Sequence, residues 1–189
     1  LDYKLSDLTR EHNFYHIAAI KRKDETIIPR GNDIIRLNDI VYFTTTPDHI
    51  QDIRLLTGKT EIDVRKVMIM GGSRIAVRIA DIAPEYLKIK LIESDKAKSY
   101  KLVEKMNDTV IIQGDGRDID LLKEEGIMDT DAFIALTDSS ETNILACLTA
   151  KGFGVPKTVA EVENISFITV AEGLNIGSVI NKKLIAASR

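Results

Sequence analysis

Residues 67–80 read VMIMGGSRIAVRIA. Four apolar residues run into two glycines and a serine, after which apolar residues return at the three- and four-residue spacing of a helix. A short, uniformly apolar run suits a strand buried on both faces. The stretch therefore predicts strand, tight turn, helix. In the dinucleotide fingerprint GxGxxG, the first glycine permits the turn, the second lets backbone approach a pyrophosphate, and the third lets helix pack on strand. Those three places here hold Gly71, Ser73 and Ala76. Alanine is an accepted third residue, whereas serine at the second is a departure, partly relieved because Gly72 beside it keeps the turn uncrowded.

The next apolar run, IKLI, leads into LIESD at residues 91–95, where Glu93 and Ser94 close the second strand. Glu93 lies 22 residues beyond Gly71, about where the fingerprint places an acid on the ribose hydroxyls. A carboxylate there repels a 2′-phosphate, which favours NAD or an adenine nucleotide over NADP. The helix start at Ser73, Arg74 and Ile75 offers amide donors and a positive dipole end to a diphosphate. The plainer alternative is that GGS is only a tight turn and Glu93 only a solvated strand end.

Outward from this core, TVIIQ, DAFIAL and TVAEV repeat the short apolar run, while KAKSYKLVEKM, RDIDLLKEEG and SSETNILACLTAKG carry helical spacing. Strand and helix alternating in this way predict an α/β fold: a doubly wound parallel-sheet, Rossmann-type domain over residues 66–189. QGDGRD at 113–118 closes the third strand. Its Asp115 is placed to accept from an adenine amino group, and Asp118 to cap the next helix. LTDSSETN at 136–143 puts Thr137 at the carboxyl edge of the fourth strand, where such sheets bind ligands. Thr137, Asp138 and Ser139 are equally suited to helix capping.

The region before residue 58 has a different grammar. NFYHIAAI, TII and IVYFTTT are short β-rich runs divided by KRKDE and PRGND, and they predict a meander of short antiparallel strands in a small α+β lobe. Thr46, Pro47 and Asp48 form a helix-start signal, followed by Ile50, Ile53 and Leu56 on one face, and Gly58 stops that helix. Residues 58–65, opening with the polar GKTEID, predict a linker between a lobe at 1–57 and the domain at 66–189.

The 189 residues are 44% hydrophobic and 29% charged, which is globular composition. Net charge is −3 and neither half is basic, so nucleic acid is a poor partner for this chain. A single cysteine, Cys147, leaves no intrachain disulfide and suits a reducing cytosol. No apolar run approaches membrane-spanning length, and the chain is expected to be soluble. Catalysis has little support. His12, His16 and His49 all precede the linker, Cys147 sits in the apolar stretch ILACLTA as a packing thiol, and no metal-ligand spacing occurs. No catalytic residue and no metal site are expected.

Taken in order, VMIMGGSRIAVRIA, KLIESD, VIIQGDGRD with LLKEEGI, and DAFIALTDSSETNILACLTAKGFG resemble the nucleotide-binding half of the TrkA-type potassium uptake regulators, members of the RCK class. The segment from LSDLTREHNF to TPDHIQDI resembles their C-terminal lobe. A lobe of that kind placed before a nucleotide domain is what the middle of a tandem TrkA would show, so the resemblance implies a fragment with a clipped first lobe. It implies that Gly71, Gly72, Ser73, Arg74 and Ile75 form the diphosphate loop, with Glu93 and Ser94 on the ribose. Asp115 would lie beside adenine, and Thr137 would face the phosphates or the second ribose. Glu161 stands where relatives often carry arginine, and Asn181 where they tend to carry proline. EGLNIGSVINKK resembles a crossover that packs two domains as a dimer, or else is an ordinary capping strand and helix.

The function so implied is a cytoplasmic regulatory subunit, peripheral to the inner face of the membrane. It would bind NAD(H) or ATP/ADP without reacting it, pair as a homodimer through its Rossmann-type domains, and bias a membrane potassium transporter subunit. Two rivals stay open: a fragment of a small NAD-dependent oxidoreductase, and a dimerisation module whose nucleotide site has decayed at Ser73.

Overall fold

The computed structural model describes residues 3–5, 14–23, 25–58 and 62–181. His12, residues 59–61 of the expected linker and the lysines at 182 and 183 lie outside the described residues. The chain divides into two units, Leu1–Glu61 and Ile62–Arg189.

The first unit contains strands β1 (Tyr3–Lys4), β2 (Tyr15–Arg22), β3 (Glu25–Ile27), β4 (Ile34–Ile35) and β5 (Ile40–Thr45), then helix α1 (Ile50–Leu56). Buried and exposed residues alternate along the first half of β2, turning Tyr15, Ile17 and Ile20 into a small core. That makes β2 the centre of an antiparallel sheet in the order β3-β2-β5. A simple meander is therefore not formed: β4 leaves the sequence of neighbours and pairs with β1 instead. The loop around β4 is tied down by Arg22, whose guanidinium meets both oxygens of Asp39 at 2.9 and 2.6 Å and the Ile34 carbonyl at 2.7 Å.

The helix-start signal at Thr46 is realised differently from its reading. Pro47–His49 forms a 3₁₀ turn first, and the Thr46 side chain caps nothing. A 3₁₀ turn takes three residues rather than 3.6, which changes the angle at which α1 begins. Of the expected apolar face only Ile53 packs on the core, while Ile50 and Leu56 are exposed.

The second unit alternates strictly: β6 (Lys66–Met70), α2 (Arg74–Ile82), β7 (Lys88–Glu93), α3 (Lys96–Val103), β8 (Thr109–Gln113), α4 (Ile119–Glu124), β9 (Ala132–Ala135), α5 (Ser140–Gly152), β10 (Lys157–Glu161), α6 (Ile165–Gly173) and β11 (Ser178–Ile180). Its six strands are ordered β11-β10-β9-β6-β7-β8 and every neighbouring pair is parallel. The chain moves outward from β6 to β8, then returns to lay β9 on the other side of β6. The doubly wound α/β expectation is met, and the strand order reverses between β6 and β9.

Alternation along β6 explains why that strand is apolar throughout. Met68 and Met70 join the layer that contains Leu122, Ile144, Cys147 and Ala171, while Val67 and Ile69 join the layer that contains Ala76 and Leu102. Each large side chain fully buried this way contributes roughly 1.5–3 kcal/mol. The terminal segment supplies β11, a sixth strand beyond the five apolar runs, paired with β10 at the edge of the sheet. Asn181 then closes the sheet edge, its Nδ2 donating to the carbonyls of Val162 at 2.7 Å and Glu163 at 3.1 Å.

Candidate nucleotide-binding site

A cleft of about 470 Å³ opens at the carboxyl ends of β6, β7 and β9, at the reversal of strand order. That is where ligands enter open parallel sheets, and the volume suits a small organic molecule. The floor comes from Met70, Ile92 and Leu136, three apolar strand ends.

Gly71 makes the turn after β6 with φ +96, and its amide donates to the Ile92 carbonyl at 2.9 Å. A Cβ there would stand 2.9 Å from the carbonyl oxygen of Leu136, just after β9, so sterics and backbone angle both require glycine. Ser73, the departure from the fingerprint, has φ −68 and caps α2 by accepting from the Ala76 amide at 3.3 Å. Serine is unstrained there, and its hydroxyl proton is left to donate into the cleft, which its side chain lines. Ala76 is fully buried under α2, as the third place of the fingerprint demands.

Glu93 is 5% exposed at the end of β7. Its Oε1 accepts from the Asp95 amide at 2.9 Å, and its Oε2 accepts from the Gly72 amide at 2.9 Å and lies 2.7 Å from Lys98 Nζ. Burial is the strongest single influence and opposes its charge. The Lys98 ammonium and the two amides together outweigh it and hold the carboxyl below the ordinary glutamate range.

Asp115 sits after β8 between two close-packed glycines. A Cβ on Gly116 would come 2.4 Å from Met70 Cγ, and one on Gly114 would come 2.5 Å from Leu121 Cδ2. The Asp115 carboxylate is engaged by Arg117, whose Nε and Nη2 reach it at 3.0 and 2.7 Å and whose amide adds a bond at 2.9 Å. These contacts lower its pKa, the guanidinium most. An adenine amino group would have to share this carboxylate. Asp118 behaves as expected, capping α4 through the amides of Asp120 and Leu121.

Thr137 ends β9 with its hydroxyl donating to Asn143 Oδ1 at 2.6 Å and its amide to the same oxygen at 3.0 Å. Asn143 Nδ2 returns bonds to the carbonyls of Thr137 and Glu161, each at 2.9 Å. Ser139 is the cap of α5, accepting from the Thr142 amide. Both readings of LTDSSETN are thus present at once, cleft lining and capping, divided between neighbouring residues.

Of the residues expected at the site, Gly71, Ser73, Glu93, Ser94, Asp115 and Thr137 line one cleft. Gly72 stands behind the wall holding Glu93, Arg74 is exposed on the first turn of α2, and Ile75 packs into the core beneath that helix. Sequence reasoning missed Lys98, Arg117 and Thr142, which also line the cleft, and Asn143, which braces it. The signal for Lys98 was available: a cation five residues past the acid lies on the first turn of the following helix. Cys147 is fully buried in α5, and burial pushes its thiol up to about 12. Among the described residues there is no group of acidic, histidine and cysteine side chains suited to a metal, and no helix long and apolar enough to cross a membrane.

The TrkA-N domain model matches residues 67–182, and the TrkA-C domain model matches residues 1–58. The Trk system potassium uptake protein TrkA of Vibrio alginolyticus is 34% identical over 157 residues, 83% of this chain and 34% of that protein. The protein of the same name from Halomonas elongata is 32% identical over 165 residues, 87% of this chain and 36% of that protein. The chain thus spans about a third of the length of these curated relatives. Among solved structures, the GsuK channel bound to NAD superposes with a TM-score of 0.62 at 16% identity, covering 98% of this chain and 33% of that one. GsuK bound to ADP gives 0.54 at 20% identity, covering 76% and 41%. These two likenesses concern the fold. With six parallel strands, a glycine turn at their switch point and a family model spanning that whole unit, the chain belongs to the TrkA-N domain family.

Proposed function

We propose that the second unit binds an adenine dinucleotide or nucleotide, NAD(H) first and ATP or ADP second, in the cleft at the strand-order reversal. Bound there, the ligand is held and not reacted, as part of the cytosolic regulation of a Trk-type potassium uptake system. The observation that carries this reading is the pairing of the Gly71 turn with Glu93 across the switch point, joined through the Gly72 amide. Backbone can approach a diphosphate at Gly71, the Ser73 hydroxyl can donate to it, and Glu93 has lone-pair capacity left for a ribose hydroxyl. Related proteins support the ligand class: one GsuK structure carries NAD and another ADP. The potassium uptake role rests on the TrkA relatives.

The regulatory step would be a change in how two such units pair as a homodimer at the cytoplasmic face of the membrane, biasing a transporter subunit. A ligand achieves that only by binding one arrangement more tightly than the other. The charged lining residues are Glu93, Lys98, Asp115, Arg117 and Asp138, with the first four joined in two ion pairs. Regulation is preferred to an oxidoreductase because the relatives are potassium uptake proteins. Calorimetric titration of the chain with NADH, NAD, ATP and ADP tests the proposal. Heat with at least one of them, saturating at one site per chain, is expected; no heat with any of the four would leave the dimerisation module. Steady oxidation of NADH with a panel of carbonyl compounds would favour the enzyme instead.

A further inference from the structure

The ribose corner of the cleft holds a cation that the fingerprint does not require. A carboxylate offers about four lone-pair positions. On Glu93 three are taken, by the amides of Asp95 and Gly72 and by Lys98 Nζ. A ribose diol that sought two bonds from this acid would have to displace one of these partners. The two amides belong to fixed turns, and the Glu93 side chain is only 6% exposed. Lys98 is different: its side chain is 47% exposed and reaches in from the first turn of α3. The movable member of the pair is the lysine.

An acid at the end of the second strand normally turns away a 2′-phosphate because like charges meet. Here that charge is already faced by an ammonium at contact distance, and only one lone pair stays open. The half-solvated ammonium is the partner of the pair that can turn towards a ligand while the buried carboxylate stays in place. Lys98 has three donors, so it can stay beside Glu93 and still point one at a phosphate entering the same corner.

Building on the nucleotide reading, we propose that Lys98 is the specificity-determining residue of the ribose subsite. It neutralises Glu93 and pairs with a 2′-phosphate, so the cleft accepts 2′-phosphorylated adenine dinucleotides alongside unphosphorylated ones. This removes the preference expected from the acid by itself.

The test is fluorescence titration of the full chain and its Lys98→Met and Lys98→Arg variants with NADH and NADPH, with thermal melts to verify folding. The unaltered chain is expected to bind the two within about tenfold of each other, and Lys98→Met to weaken NADPH relative to NADH by about tenfold or more. Lys98→Arg, which keeps the charge, should keep the ratio. NADPH bound about a hundredfold more weakly than NADH by the unaltered chain, or a Lys98→Met effect equal for both, overturns this inference and leaves the nucleotide reading intact. Binding of neither overturns this inference and the dinucleotide part of the nucleotide reading, whose ATP and ADP part is decided by the calorimetric titration.

Discussion

The Gly72 amide donates to Glu93 Oε2 at 2.9 Å, and a Cβ on Gly72 would stand 3.0 Å from that oxygen and 2.4 Å from Leu102 Cδ1. The second glycine of the turn therefore serves the acid of the next strand, leaving the cleft-facing place to Ser73. This bond joins the two sequence features, 21 residues apart, on which the site was read.

Gly71 should be the least replaceable residue of the turn. Gly71→Ala places a side chain at φ +96 against the Leu136 carbonyl. Strain of this kind costs about 1–3 kcal/mol before the contact is relieved. Urea unfolding should show that loss, and nucleotide titration should show binding falling with it. Ser73→Gly is the contrasting variant: it restores the fingerprint glycine, gives up a side-chain cap worth a few tenths of a kcal/mol, and should leave the fold essentially intact.

Asn143 is predicted to hold the cleft's far wall. Asn143→Ala strands the buried Glu161 carbonyl and the half-buried amide and carbonyl of Thr137. Leaving such groups unpaired costs about 1–3 kcal/mol each before relaxation or entry of water. A drop in melting temperature with more than additive loss of ligand affinity is expected; a change confined to stability would mean that Thr137 keeps its position without help.

What could be read from the chain follows from how local each constraint is. The five apolar runs were visible because parallel strands lie between two helix layers, so β6 needs apolar residues at every turn of the pleat. The Gly71 to Glu93 spacing was visible because one strand, turn, helix and strand have nearly fixed length. Lys98 on Glu93 depends on the rotation of α3, and Asn143 reaches across 18 residues to Glu161; neither leaves a periodic trace. In the first unit, β1 and β4 are two residues each, too short for alternation to set a partner. The exposure of Ile50 and Leu56 followed from a 3₁₀ turn that the Thr-Pro-Asp signal does not distinguish from a helical one.

Cys147 should behave as an inert thiol. Burial raises its pKa to about 12, so the folded state favours the neutral form. A thiol reagent at neutral pH should label it only at the rate of unfolding, and denaturant should expose it fully. The linked stability is present below the ordinary thiol pKa and is lost as pH rises from there towards 12. Cys147→Ser should flatten that alkaline decline; rapid labelling of the folded chain would refute the burial that underlies it.

Acid should weaken the small unit through Arg22 and Asp39. The guanidinium's hydrogen bonds are the chief influence holding the Asp39 carboxyl at about 2, with the Arg36 amide adding to it at 2.8 Å. A folded-state pKa below the unfolded value stabilises above that unfolded value and is lost as pH falls through the folded one. The window therefore runs from about 4, the ordinary aspartate range, down to about 2. Amide resonances of β2 and β5 followed by NMR should weaken across that window. Asp39→Asn removes the titrating group, so its first unit should be less stable at neutral pH and nearly indifferent to acid between those limits. Equal acid sensitivity in both proteins would assign the transition to some other carboxylate.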